Sequence, residues 1–165
     1  MCYILDQEQI KPVLAEEDIK VFKIGYKSKE GYFVSLIRRS ISAFDKVQMV
    51  PEFWKYITDD TVLEGEFKTS CGLYSYANQG RAEIELTCNI RNMIVFSKLG
   101  LRIFEAIIPK GSMYIMTGSG YCISDQLIVK DEIVDFYPKL NPKFIQKYKD
   151  SIASYVPENI LEGKE

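Results

Sequence analysis

The stretch LRIFEAIIPKGSMYIMTGSGYCISDQLIV, residues 101–129, decides the fold. Its first part, 101–108, is dense in β-branched and aromatic side chains and is bounded by Gly100 and Pro109, which predicts a strand. In the sequence that follows, residues 109–111 predict a turn, 113–116 a strand and 117–120 a flexible loop. Residues 123–129 predict a further strand, which continues after a kink as 131–136. Short strands joined by short turns indicate an antiparallel sheet.

Further strands are expected towards the N-terminus. Residues 18–37 alternate between apolar and polar side chains on both sides of a polar turn that ends in Gly31, which predicts a hairpin. Residues 2–5 form a short apolar run typical of an edge strand, and 11–14 is expected to be a loop. Residues 38–60 have no clear period.

The segment 80–93 fits two structures. Ala82, Leu86 and Ile90 lie on one face of a helix, whereas the even-numbered residues fit one face of a strand equally well. Its Ala, Glu, Leu and Arg content favours a helix, which we expect here. A helical turn is expected at 51–57, and a final helix is expected after Asn141, which is a good N-cap.

These elements predict an α+β fold: a single domain with a mainly antiparallel sheet and two or three helices packed on it. The globular domain is expected to span 1–157, followed by an acidic, frayed tail at 158–165. The chain has 165 residues, of which 47 % are hydrophobic and 27 % charged, as in an ordinary soluble globular domain.

The composition restricts the chemistry. The chain has no histidine, so a Ser-His-Asp or Cys-His nucleophile and any histidine-containing zinc site are excluded. Cys2, Cys71, Cys88 and Cys122 form no C-x-x-C pair, so we expect reduced thiols rather than metal ligands. We expect no metal and no cofactor.

Charge and hydropathy bear on location and partners. The net charge is −2, which argues against general nucleic-acid binding. The sequence contains no run of eighteen apolar residues, which a membrane-spanning helix would need. The N-terminus also lacks the basic start of a signal peptide, so we expect a cytoplasmic protein without a membrane partner. The eleven tyrosines suit either a core or a contact surface, and a homodimer through strand edges stays open.

Two longer motifs carry a resemblance. The run IIPKGSMYI followed by SDQLIV, at 107–115 and 124–129, resembles small uncharacterised proteins of gut bacteria and their phages. Together with GLYSYAN at 72–78 and the early strand 21–24, it also resembles the core of the ADP-ribosyltransferase fold. In that fold a glycine-aromatic strand precedes a helix, and a later strand carries a catalytic glutamate. Here that later strand has Asp125 and no glutamate, and Lys23 stands near the position of the first strand's Arg or His.

The resemblance and the composition together favour a non-catalytic binding protein. It would sequester a nucleotide-like small ligand or block a host protein partner, and a phage counter-defence role would fit. The candidate ligand-binding residues are Arg38, Tyr74, Tyr76, Lys110, Ser112, Tyr121 and Asp125. The alternatives are an NAD-using ADP-ribosyltransferase-like enzyme acting through Asp125 or Glu105, and a structural or oligomer-forming module without a ligand. Gly118-Ser119-Gly120 is most simply a hairpin loop, although successive N–H groups there could bind an anion.

Overall fold

The computed structural model describes residues 3–4, 12–35, 41–51, 66–67, 72–88 and 101–136. These residues form twelve strands and one helix. The strands are β1 (Tyr3–Ile4), β2 (Val13–Leu14), β3 (Ile19–Lys27), β4 (Phe33–Ser35), β5 (Ile41–Ser42), β6 (Val47–Met49), β7 (Glu66–Phe67), β8 (Leu73–Tyr76), β9 (Arg102–Ile108), β10 (Met113–Met116), β11 (Tyr121–Ser124) and β12 (Gln126–Ile133), and the helix is α1 (Gln79–Cys88).

Ten of the strands form one antiparallel sheet, whose main path is β2-β10-β11-β8-β3-β9-β12-β6. β4 pairs with β3 and with β5, off this path, while β1 and β7 form a separate pair. β11 and β12 are separated in the chain by Asp125 alone, yet they lie on opposite sides of the run β8-β3-β9. The sheet must therefore curl so that β11 and β12 come together at Asp125, which gives it the form of a small, partly open barrel.

The main apolar core cluster lies on one face of the sheet, which we call the inner face. Val21, Phe104, Cys122 and Val129, from four different strands, belong to one buried apolar cluster. Helix α1 contacts β3, β8 and β9 and covers part of the opposite, outer face. Each central strand is therefore covered on both sides, and this explains why β3 and β9 contain nearly continuous apolar sequence.

The predicted fold class is wrong. The structure is a mainly-β fold with one short helix among the described residues, rather than α+β with two or three helices. Segments interpreted as a loop or as aperiodic contain β2, β5 and β6, which are two or three residues long. Strands this short cannot show a period of two, so the hydrophobic pattern did not reveal them. The helix expected after Asn141, and all but the first residue of the helical turn expected at 51–57, lie outside the described residues.

Several other predictions are confirmed. The described part of the hairpin expected at 18–37 is β3 and β4, the strand 101–108 is β9, and the described part of the ambiguous segment, 80–88, is helical in α1. Asn78 caps this helix, because its Oδ1 accepts a hydrogen bond from the Arg81 N–H at 2.8 Å. Ala82 and Leu86 are fully buried whereas Ile84 is 47 % exposed, which is the helical rather than the strand pattern.

Two details of the C-terminal strands differ from the expected ones. The predicted strand 123–129 is broken at Asp125, where the chain passes from β11 to β12. The expected kink after residue 129 is confirmed as a register shift between Val129 and Ile133 against β9. Among the described residues, no helix is long and apolar enough to cross a membrane.

Candidate polar site on the outer face

Arg81 and Glu85 lie one turn apart on α1 and form an ion pair through Arg81 Nη2 and Glu85 Oε1. The phenol of Tyr121, on β11, donates a hydrogen bond to the same Glu85 oxygen and accepts one from Arg81 Nη2. The three groups are partly buried, with 26 % of the Arg81 side chain and 17 % of the Glu85 side chain exposed. They form a closed hydrogen-bonded cluster that joins the helix to the sheet, and we call it the Arg81 cluster.

The guanidinium of Arg81 also stacks on an aromatic ring. Its Cζ lies 4.5 Å from the centroid of the Tyr121 ring, which is a cation–π contact. Tyr121 is the cross-strand partner of Tyr76, and the two ring centroids are 6.0 Å apart. Because Tyr76 is only 6 % exposed, it packs beside the Tyr121 ring and contributes little accessible surface to the site.

Gly120 permits this close approach of helix and strand. A Cβ at this position would lie 3.2 Å from both Cβ and Cγ of Arg81, and the residue has a φ of +91°, which favours glycine. Its carbonyl accepts a hydrogen bond from the Ala77 N–H at 2.8 Å, which ties the β10–β11 loop to the start of the helix. The loop 117–120 therefore borders the Arg81 cluster.

The electrostatics of the cluster favour a charged arginine and neutral phenols. Burial opposes the charge on Arg81, but its hydrogen bonds to Glu85 and Tyr121 outweigh this and raise its pKa. Burial, followed by the neighbouring Glu85, raises the pKa of both Tyr121 and Tyr76. The Nε–H of Arg81 is buried and has no acceptor in the described part of the chain, so the guanidinium keeps one unused donor.

The residues predicted to bind ligand divide between the two ends of β11. Tyr121 and Tyr76 lie at the end beside the Arg81 cluster, and Tyr74 is on the same face of β8, paired with Ile123. Asp125 follows the other end, about 13 Å away at 3.3 Å per residue. The predicted set therefore does not form one site, and Arg38 lies outside the described residues.

The predicted residues away from the Arg81 cluster, Asp125, Ser112 and Lys110, form hydrogen bonds that stabilise the fold. Asp125 Oδ1 accepts the Met113 N–H at 2.9 Å, so this buried carboxylate holds the corner between β11 and β12. Burial raises its pKa, while backbone N–H groups act in the opposite direction. Ser112 is fully buried and its hydroxyl donates to the Pro109 carbonyl at 2.5 Å. The Lys110 N–H donates to Asp18 at 2.8 Å, and the Lys110 side chain is at an exposed turn.

The carboxylates considered for catalysis have partners outside the Arg81 cluster. Asp125 is at the far corner, and Glu105 lies on β9, where it pairs with Lys20 at 2.7 Å. The Lys20 hydrogen bond lowers the pKa of Glu105. The two carboxylates that the transferase alternative would use are therefore bonded to the Met113 backbone and to Lys20.

Arg81 and Glu85 were not identified as site residues from the sequence. The available signal was their spacing of four residues, which places both on one helical face once the segment is taken as a helix. Their convergence on Tyr121, forty residues further along the chain from Arg81, depends on the tertiary fold.

No family model, curated protein or solved structure matches the chain. The resemblances to phage-associated proteins and to the ADP-ribosyltransferase core thus stay predictions. Within the described ranges, no group of three or more Cys, Asp and Glu side chains is placed to hold a metal ion.

Replacing Tyr121 with phenylalanine tests the cluster's contribution to stability. We expect a loss of about 1–2 kcal/mol in the free energy of unfolding, because two hydrogen bonds to charged, partly buried groups disappear while the ring remains. Tyr32→Phe is the matched control, since Tyr32 is 47 % exposed. Urea unfolding monitored by circular dichroism measures both; equal effects of the two substitutions would contradict the described geometry.

Proposed function

We propose that the protein is a non-catalytic binding protein that holds a nucleotide-like small ligand against the Arg81 cluster and the loop 117–120. The observation that carries this proposal is the guanidinium of Arg81 stacked on Tyr121 and fixed by Glu85. One face of the guanidinium plane lies against the phenol ring, and 26 % of the Arg81 side chain is exposed, where we expect a second planar group to stack.

The chemistry favours the nucleoside part of such a ligand. A planar base stacks well on an arginine that is already held flat, because little side-chain entropy is lost on binding. The Glu85 carboxylate can accept hydrogen bonds from an exocyclic amine or a ribose hydroxyl, whereas it would repel a phosphate at the same point. A phosphate would be placed further away, along the exposed residues Gly118 and Ser119.

The absence of catalysis is part of the proposal and rests on two arguments. The chain has no histidine to act as a general base near neutral pH. The carboxylates considered for transferase chemistry, Asp125 and Glu105, are committed to the Met113 backbone and to Lys20. Sequestration without turnover is the simpler function for a site composed of Arg81, Glu85 and Tyr121.

A thermal-shift screen against ATP, NAD, ADP-ribose and cyclic dinucleotides tests this function. A ligand present at a hundred times its dissociation constant adds about 2.7 kcal/mol, which raises the melting temperature by several degrees at this chain length. We expect such a shift with at least one nucleotide, and its loss in Arg81→Lys, since lysine keeps the charge but cannot stack as a plane.

Lys20→Gln is the matched control, because Lys20 forms an exposed ion pair with Glu105 on a different pair of strands. It should retain the full nucleotide-induced shift. An equal shift in the wild type and in Arg81→Lys would place the ligand elsewhere, and no shift with any nucleotide would contradict the proposal.

A protein partner is the second candidate, and the edge strand β6 favours it. β6 ends the main path of the sheet, and its Val47 and Met49 side chains are 49 % and 62 % exposed. An exposed apolar edge of this kind can accept a strand from another chain. If this edge binds a partner, Met49→Lys should abolish the interaction in a pull-down while Arg81→Lys should leave it intact.

A further inference from the structure

The main path of the sheet ends in two open edges, β2 and β6. Both edge strands expose apolar side chains, because Val13 and Leu14 on β2 and Val47 and Met49 on β6 are each about half exposed or more. Among the described residues, no strand pairs with the outer side of either edge. An edge of this kind presents a row of backbone groups to which another strand can add.

The hydrogen bonds that hold the two edges show which backbone groups point outwards. On β6 the Val50 N–H donates at 2.8 Å to the carbonyl that precedes β12. Because successive residues of an antiparallel strand alternate in direction, the N–H and C=O groups of Met49 and Val47 point away from the sheet. On β2 the Ala15 N–H donates at 2.8 Å to the turn before β10, so the corresponding groups of Leu14 point outwards.

The two edges also match in the faces that their side chains take. The cross-strand partners of Val13 and Gln48 belong to the inner core cluster or pack against it. Leu14 and Met49 follow these residues in their strands and therefore lie on the outer face. When Leu14 of one copy lies opposite Met49 of another, the two sheets continue with the same face outwards, and the two apolar side chains cover each other.

Charge favours the antiparallel pairing of β2 with β6. The exposed Glu16 and Glu17 follow β2, and the exposed Lys46 precedes β6. None of these three side chains forms an ion pair with another residue in the described part of the chain. Since antiparallel strands run in opposite directions, the acidic end of β2 meets the basic end of β6, and opposite charges attract there.

We propose that copies of this protein associate head to tail, with β2 of one copy adding antiparallel to β6 of the next. Such an interface is heterologous, so the end copies keep one open β2 and one open β6, and the assembly extends as a chain or closes as a ring. The occupant of the β6 edge is thus a second copy of the chain. The interface does not include the Arg81 cluster, so it is independent of nucleotide binding.

Complementation between two half-blocked variants tests the proposal. Leu14→Lys places a charge on the β2 edge and Met49→Lys places one on the β6 edge, and both variants should fold because both positions are exposed. In sedimentation velocity over a concentration series, the wild type should form species larger than a dimer, whereas each variant alone should be a monomer. An equimolar mixture of the two should form a dimer, since the intact β6 of one meets the intact β2 of the other.

Ile84→Lys is the matched control, because Ile84 is exposed to a similar degree but lies on α1, away from both edges. It should associate as the wild type does. Three results would overturn the proposal: a wild type that stays monomeric at every concentration, a mixture of the two blocked variants that stays monomeric, or a blocked variant that dimerises alone. The last result would show a two-fold pairing of its intact edge.

A charge swap tests the direction of the pairing. Lys46→Glu should weaken association several-fold, because like charges then meet where β2 ends, and the loss should shrink at high salt. Combining it with Glu16→Lys and Glu17→Lys should restore the wild-type association constant, since opposite charges face each other again. A combined variant that associates no better than Lys46→Glu alone would contradict the antiparallel β2–β6 interface.

Discussion

Gly25→Ala should destabilise the protein by about 3 kcal/mol or more, although it adds a single methyl group. A Cβ at Gly25 would lie 2.4 Å from the Val34 carbonyl oxygen and 2.5 Å from two ring atoms of Phe33. The backbone oxygen cannot move without breaking the β3–β4 pairing. The ring cannot move easily either, because it packs edge-on against Phe44 and Phe104, at centroid distances of 5.9 and 5.3 Å.

Thermal unfolding of the variant measures this effect, and a fall of about 6–12 °C in melting temperature is expected. Gly80→Ala is the matched control, because Gly80 lies in α1 and its nearest neighbour to an added Cβ is Asn78 Oδ1 at 3.5 Å. Alanine there should stabilise the helix by up to about 1 kcal/mol. A Gly25→Ala protein as stable as the wild type would contradict the described packing of β4 on β3.

Lys23→Met should stabilise the protein by an amount on the order of 3 kcal/mol at pH 7. Lys23 pairs across the strands with Phe104 of the buried core cluster and forms no ion pair with a carboxylate of the described residues, and methionine offers a side chain of similar length without a charge. Lys20→Met is the control, since Lys20 forms an exposed ion pair, and such pairs contribute little. Its effect should stay within about 0.5 kcal/mol.

The pH dependence gives this prediction a definite sign. Burial lowers the pKa of Lys23 to about 8 in the folded protein, against the ordinary lysine value of 10.5 that applies to the unfolded chain. Between these values the unfolded chain binds more protons, so the stability of the wild type rises with pH. The advantage of Lys23→Met should therefore be full below pH 8 and vanish above pH 10.5. Urea unfolding of both proteins across this range measures the difference, and an advantage that does not change with pH would contradict a buried amine.

The sequence predicted the centre of the sheet well and its margins poorly. β3 and β9 are seven residues or longer and have dense β-branched sequence, so each segment carries its own signal. β5 and β6 are two and three residues long and exist because β4 and β12 offer edges to pair with. Pairing of this kind is a tertiary effect that a hydrophobic pattern does not contain.

The break between β11 and β12 at Asp125 is another feature that the hydrophobic pattern of the sequence could not predict. The sequence 123–129 has the composition of one strand, and nothing local marks Asp125 as a corner. The corner forms because its carboxylate accepts the Met113 N–H and its own N–H donates to the Met113 carbonyl. The short polar side chain that suggested catalysis therefore acts as a structural cap for a change of strand direction.

The candidate site could be predicted only in part. Tyr74, Tyr76 and Tyr121 were identified because tyrosine-rich strands suit contact surfaces, and the structure places Tyr76 beside Tyr121. Arg81 and Glu85 could be found only by choosing the helix for 80–93 and by knowing which strand the helix covers. That choice depended on helix propensity, whereas the contact between Arg81 and Gly120 depends on the register of β8 and β11.

The most direct test of the proposed function is an NMR titration of protein carrying ring-labelled tyrosine, with ATP, NAD, ADP-ribose and cyclic dinucleotides added in turn. Binding of a base on the Arg81 guanidinium places its ring current next to Tyr121. The Tyr121 ring signals should therefore shift in a saturable way, while those of Tyr32 stay unchanged. Tyr121 signals that do not move with any of these nucleotides would contradict a nucleotide-binding role for this surface.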